Sequence, residues 1–117
     1  MVVEDDTSVR LLVVEVLCDL GYAAVEATNA DAAIAHLQAG PAFDLLITDV
    51  GLPGMNGRQL ADVAREIVPG LRVLFITGYA ATATNRGDFL DEGMDMITKP
   101  FDLERLARKI REMLGNA

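Results

Sequence analysis

A doubly wound α/β fold on a parallel sheet is predicted from three observations. Hydrophobic periodicity alternates between short strand-like runs and helical spacing along the whole chain. Two of the runs, Leu45–Thr48 and Val73–Ile76, are apolar on both faces, as in interior parallel strands covered by helices on each side. The strand candidates end on polar or charged residues, and open α/β sheets bind their ligands beyond those carboxyl ends. With 117 residues, 51% of them hydrophobic, residues 1–117 are expected to form one domain. A chain of that length hides roughly two thirds of its extended surface and needs neither metal nor disulfide to fold.

Met1–Val3 is the first strand candidate, ending in Glu4, Asp5 and Asp6. Val9, Leu12, Val13, Val16, Leu17 and Leu20 then recur at helical spacing up to Gly21, a C-terminal stop. Ala23–Ala27 is a second strand candidate. Asn29 or Asp31 offers an oxygen to cap a helix whose Ala30, Ala33, Ile34 and Leu37 face inward, and Gly40-Pro41 ends it. The third strand stops at Asp49. After a Gly- and Pro-rich loop, Asn56 caps a helix carrying Leu60, Val63, Ala64 and Ile67, which Pro69-Gly70 breaks before Val73–Ile76. Ala80–Gly93 is the weakest helix candidate, since Thr82, Thr84, Asn85 and Gly87 have poor propensity, and mobility is expected there. Met96–Thr98 is the last strand, and Asp102 caps a closing helix with Leu103, Leu106, Ile110 and Met113 on one face. Five strands alternating with five helices imply right-handed crossovers and helices on both faces.

Charge and cysteine usage narrow the function. Ten Lys+Arg against 18 Asp+Glu leave a net charge of −8, which removes the attraction that nonspecific phosphate-backbone binding relies on, so direct contact with nucleic acid or an anionic membrane is not expected. A single Cys18 excludes an internal disulfide and a multi-cysteine zinc site, in keeping with a reducing, cytoplasmic setting. No stretch reaches the roughly 20 apolar residues of a spanning helix, and MVVEDD lacks a secretion pattern.

The expected strand ends gather Glu4, Asp5 and Asp6 with Asp49, Thr77 and Lys99. Each close carboxylate pair costs about 4 kcal/mol at an effective dielectric near 20, so such a cluster calls for compensation. Lys99 is one compensator and a divalent cation the natural second. All-oxygen ligands with no His or Cys at ligand spacing favour a hard ion, Mg²⁺ rather than caged calcium. A carboxylate beside that ion and a lysine is a competent nucleophile toward phosphorus, and Thr77 is placed to donate a hydrogen bond to the product.

Here the chain resembles the response-regulator receiver domain of bacterial two-component signalling. The resemblance rests on Val2-Val3-Glu4-Asp5-Asp6, Asp49-Val50-Gly51-Leu52-Pro53 with Gly57, Ile76-Thr77-Gly78, and Lys99-Pro100-Phe101, in that order and at the ends of the expected strands. It implies a flavodoxin-like five-stranded sheet in the order 2-1-3-4-5. It also implies Asp49 as phosphoacceptor from a histidine kinase or histidine phosphotransfer partner, and Mg²⁺ held by Glu4, Asp5, Asp49 and the Gly51 carbonyl. Lys99 would pair with the phosphoryl group. Thr77 would be the switch hydroxyl that reshapes the face made by the fourth helix, the fifth strand and the closing helix, a face open to homodimerisation. The Leu52-Pro53-Gly54 loop and Ile76–Ala80 look most like receivers appended to hybrid sensor kinases. Met96 stands where the family commonly has an aromatic residue, with Tyr79 nearby as a substitute. Only Met1, Val2 and Val3 precede the acids, which suggests a chain cut at its start.

Other readings are blander. Asp6 serves more simply to open the first helix than to bind metal, His36 reads as a surface residue and Cys18 as a helix residue, and the loop glycines lack nucleotide-loop spacing. A second apolar stripe on the first helix, Leu11, Val14 and Cys18, is expected to be exposed, with Leu11 and Val14 as partner contacts or as part of a broad core face. Two other classes stand beside the receiver: an interaction module with an unused pocket, and an aspartyl-phosphate phosphatase, which wants a second acid where Gly51 stands.

Overall fold

The computed structural model describes residues 1–40, 43–51, 55–77, 93–99 and 101–114. Within them the elements run β1 (Val2–Val3), α1 (Thr7–Asp19), β2 (Glu26–Ala27), α2 (Ala30–Gln38), β3 (Leu45–Asp49), α3 (Gly57–Ile67), β4 (Arg72–Thr77), β5 (Met94–Thr98) and α4 (Leu103–Leu114). The five strands are parallel in the order β2-β1-β3-β4-β5, the expected flavodoxin-like arrangement. The described residues hold four helices, because the one expected between Ala80 and Gly93 falls, apart from Gly93, outside them. Leu52-Pro53-Gly54, Gly78, Tyr79 and Pro100 lie outside as well.

Side-chain alternation along the strands divides the core between two layers. On β4, Val73 and Phe75 pack with α2 and α3, whereas Leu74 and Ile76 pack with α1 and α4. Val3, Leu46, Met94 and Met96 join the first layer, and Val2, Ile47 and Ile97 the second. The doubly apolar runs therefore become interior strands because each of their faces has its own helix pair to bury against.

The helix starts follow the cap residues read from the sequence. Asp6 Oδ1 accepts the Ser8 and Val9 amides at 2.9 and 3.2 Å, and Asn29 Oδ1 accepts that of Ala32 at 2.8 Å. Asn56 and Gln59 cap each other's amides in a reciprocal box, and Asp102 Oδ1 accepts the Arg105 amide at 2.7 Å. Gly21, at φ 89°, turns the chain out of α1 through the left-handed region.

Three expectations need correcting. The last strand runs Met94–Thr98, not Met96–Thr98, because its pairing with β4 already begins at Val73 and Met94. The second strand is only Glu26–Ala27, not Ala23–Ala27, because its sole neighbour β1 pairs through just Val2 and Val3. The second stripe on α1 is split: Leu11 is 54% exposed and Cys18 is exposed, but Val14 is half-buried against the α1/α4 core layer.

Gly57 opens α3 against the end of β3. Its amide donates to the Val50 carbonyl at 2.9 Å, and a Cβ there would collide with the Asp49 carbonyl oxygen and lie 3.0 Å from Val50 Cα. Backbone on both sides leaves no flexible group to give way. Gly57→Ala is expected to lower unfolding stability by about 2–3 kcal/mol, read as a reduced denaturation midpoint; an unchanged midpoint would contradict the close approach.

Candidate functional site

Strand register brings the polar ends to one edge of the sheet. Val3 pairs with Thr48, so Glu4 emerges beside Asp49. Asp49 pairs with Ile76 and Thr77 with Thr98, which puts Lys99 one residue beyond; its amide donates to the Thr77 carbonyl at 2.7 Å. Parallel pairing thus makes neighbours of residues up to 95 positions apart in sequence, from Glu4 to Lys99.

Lys99 Nζ lies 3.1 Å from Asp49 Oδ2 and 3.7 Å from Glu4 Oε1. The Gly51 amide donates to Asp49 Oδ1 at 2.9 Å. Each of Glu4, Asp5 and Asp49 brings one carboxylate oxygen within 4.8 Å of the others. Glu4 is 1% exposed, Asp49 half-buried and Asp5 exposed, so the cluster grades from the interior to solvent. Thr77 is fully buried at the end of β4.

Protonation follows this grading. Burial first, then the neighbouring Asp49 carboxylate, pushes the Glu4 carboxyl up to about 7 despite Lys99. Burial alone would raise Asp49 too, but the Gly51 amide, the Glu4 carboxyl and Lys99 outweigh it and hold its carboxyl below the usual range. For Lys99 burial works against the charge, and Asp49 and Glu4 more than restore it, so the ammonium is held charged. The pair is therefore asymmetric, with Asp49 ionised and Glu4 holding its proton until pH rises to about 7.

The donor set fits a hard divalent cation. Glu4 Oε2 is buried without a hydrogen-bond partner, and such an oxygen needs either a proton or a cation. If all three acids ionise against one lysine, two negative charges remain, the charge of one divalent ion. The ligands are all oxygen, and the exposure of Asp5 leaves room for the waters that Mg²⁺ retains.

Of the other residues singled out from the sequence, some lie at this edge and others away from it. Gly51 is exposed beside Asp49 and meets it through its amide. Asp6 opens α1, as the blander reading had it, and its amide lies 3.4 Å from Glu4 Oε1. His36 is exposed on α2. Met96 is buried and pairs with Phe75 in the ladder. Sequence reasoning missed Arg10, whose Nη1 donates to the Glu4 carbonyl at 2.8 Å while its Nε meets Glu26 Oε1 at 3.1 Å. The available signal was its place four residues after the Asp6 cap, where helical side chains lean back over the helix start.

The family model described as the response regulator receiver domain matches residues 1–111. The chain belongs to that family. It is 39% identical over 114 residues to the response regulator receiver protein CpdR of Brucella abortus, covering 97% of this chain and 94% of that protein. It is also 33% identical over 115 residues to the sensor kinase CckA of the same organism, covering 97% of this chain but only 12% of the kinase. Among solved structures, the receiver domain from the hybrid histidine kinase CckA superposes with a TM-score of 0.81 at 31% identity, covering 97% of this chain and 95% of that one. Similar receivers thus occur both nearly alone and as small parts of long kinases. Among the described residues no helix of this receiver is long and apolar enough to cross a membrane.

Glu4 gives the receiver a pH signature. Its carboxyl ionises near 4.5 when unfolded and near 7 in the folded chain without metal, so between those values the folded state holds the extra proton. The stabilising contribution is complete below about 4.5 and lost as pH rises to about 7. In metal-free buffer the denaturation midpoint of Glu4→Gln should fall less than that of the parent across this window; parallel profiles would contradict the assignment.

Proposed function

We propose that this receiver is the phosphoacceptor of a two-component phosphorelay, with Asp49 taking a phosphoryl group from a phosphohistidine on a kinase or phosphotransfer partner. The observation that carries this is Lys99 Nζ between Asp49 Oδ2 and Glu4 Oε1, at 3.1 and 3.7 Å. A nucleophilic carboxylate, its counter-cation and the acids for a metal share one sheet edge.

Glu4, Asp5, Asp49 and the Gly51 carbonyl would hold Mg²⁺. Bound there, the ion would neutralise phosphoryl charge and lower the repulsion met by an incoming anion. Asp49 attacks phosphorus, a P–O bond forms, and the P–N bond breaks with its electron pair returning to the imidazole. Lys99 follows the charge from the Asp49 carboxylate to the phosphoryl oxygens. Glu4 would release its proton to solvent on ionising to serve as a ligand. Hydrolysis by water later returns the Asp49 carboxylate and inorganic phosphate, so the protein turns over its own modification. Gly51 presents an amide to Asp49 rather than a second acid, which favours this reading over a phosphatase.

Thr77 is the switch residue in this reading. It ends β4 fully buried, with its carbonyl bonded to the Lys99 amide, so a hydroxyl drawn toward phosphate would pull on the segment linking β4 to β5. The face formed by β5 and α4 would carry the resulting signal, including any homodimerisation. Leu11, 54% exposed on α1, is the leading contact for the histidine-bearing partner, with half-buried Val14 at its margin. The setting is cytoplasmic, as a stand-alone receiver or as part of a hybrid kinase.

Incubation with Mg²⁺ and acetyl phosphate should add one phosphoryl group to the parent and none to Asp49→Asn, as read by intact-protein mass. Beryllofluoride should bind the parent only when Mg²⁺ is present. Addition to Asp49→Asn at the parental rate, or no response in the parent, would overturn the reading. Leu11→Glu is expected to slow transfer from a phosphohistidine partner about tenfold while leaving acetyl phosphate labelling unchanged; equal transfer rates would remove Leu11 from the interface.

A further inference from the structure

We propose that Arg10 is a positioning residue for the metal-binding acids, acting by fixing the peptide unit that joins Glu4 to Asp5. This rests on the Mg²⁺ site proposed above. The parallel ladder between β1 and β2 ends at Val3 and Ala27. Beyond it the Glu4 amide still donates to the Ala27 carbonyl, at 3.1 Å. The Glu4 carbonyl has run past the end of β2, and the Arg10 guanidinium takes the place of the missing strand, donating through Nη1 at 2.8 Å.

That carbonyl shares one planar unit with the Asp5 amide. Fixing the plane sets the direction from which the chain delivers Asp5, one residue beyond buried Glu4. Arg10 is itself fixed, because Nε lies 3.1 Å from Glu26 Oε1 and its side chain is only 13% exposed. Its planar fork spans both acceptors at once, which a lysine ammonium does less well. The chain of contacts therefore runs from β2 through Glu26 and Arg10 to the backbone carrying two of the three acids. Residues that orient metal ligands commonly contribute ten- to a hundredfold to metal affinity.

The sign of the effect separates this role from simple electrostatics. Removing a cation near a site for another cation should tighten Mg²⁺ binding, whereas releasing the ligand-bearing peptide should weaken it. Arg10→Met keeps the aliphatic stem and deletes the donors. Mg²⁺ titration of the intact protein by calorimetry, without phosphodonor, should give a Kd about tenfold above the parent, with Arg10→Lys recovering part of the loss. Acetyl phosphate labelling should fall at low Mg²⁺ and return to the parental rate at saturation. Tighter or unchanged Mg²⁺ binding by Arg10→Met overturns the proposal, as does a labelling defect that saturating Mg²⁺ does not repair. If Arg10→Met does not fold, Arg10→Lys carries the test: a two- to fivefold weaker Kd supports the role and a parental Kd overturns it. Absence of Mg²⁺ binding by the parent would instead overturn the metal site itself.

Discussion

Carboxylates crowded around a single ammonium are the constraint to which the rest of this structure answers. Glu4, Asp5 and Asp49 converge at the edge of a sheet, and Lys99 is the cation that touches two of them. The arrangement is tolerable without metal because burial and Asp49 together keep a proton on Glu4 below about pH 7. It is productive because the same neighbours keep Asp49 ionised. A symmetric pair, with both carboxyls half protonated, would offer a poorer nucleophile and a weaker seat for a cation.

The fold supplies the crowding through register rather than through local sequence. Strands one residue out of step would turn Glu4 or Lys99 to the opposite side of the sheet. Interior strands whose faces are both buried fix that register, so the apolar runs of β3 and β4 hold the charged residues that follow them. The interior of the domain and its reactive edge are two ends of the same strands.

Much of this was legible in the sequence. The doubly apolar runs Leu45–Thr48 and Val73–Ile76 announced interior parallel strands, and Asp6, Asn29, Asn56 and Asp102 announced helix starts, because both signals are local. Glu4, Asp49 and Lys99 could be placed together once the strands were parallel. Arg10 escaped because one of its partners is a backbone carbonyl, which leaves its spacing from the Asp6 cap as a weak sign. The short second strand escaped because its length is limited by β1 rather than by its own residues. Val14 was placed too far out because α4, packed alongside α1, widens the buried face beyond what one helix's periodicity reveals.

Helix α3 rests on the main chain of Asp49 itself, through Gly57. The described residues of the intervening turn carry their own duties, Val50 and Met55 against the core, Gly51 on the Asp49 carboxylate and Asn56 as the cap, and Gly57 must follow them with no side chain. A designer tuning access to the acceptor would therefore keep Val50, Met55, Asn56 and Gly57 as the frame of the turn, and bulk added at Gly57 would push the helix and the acceptor strand apart together.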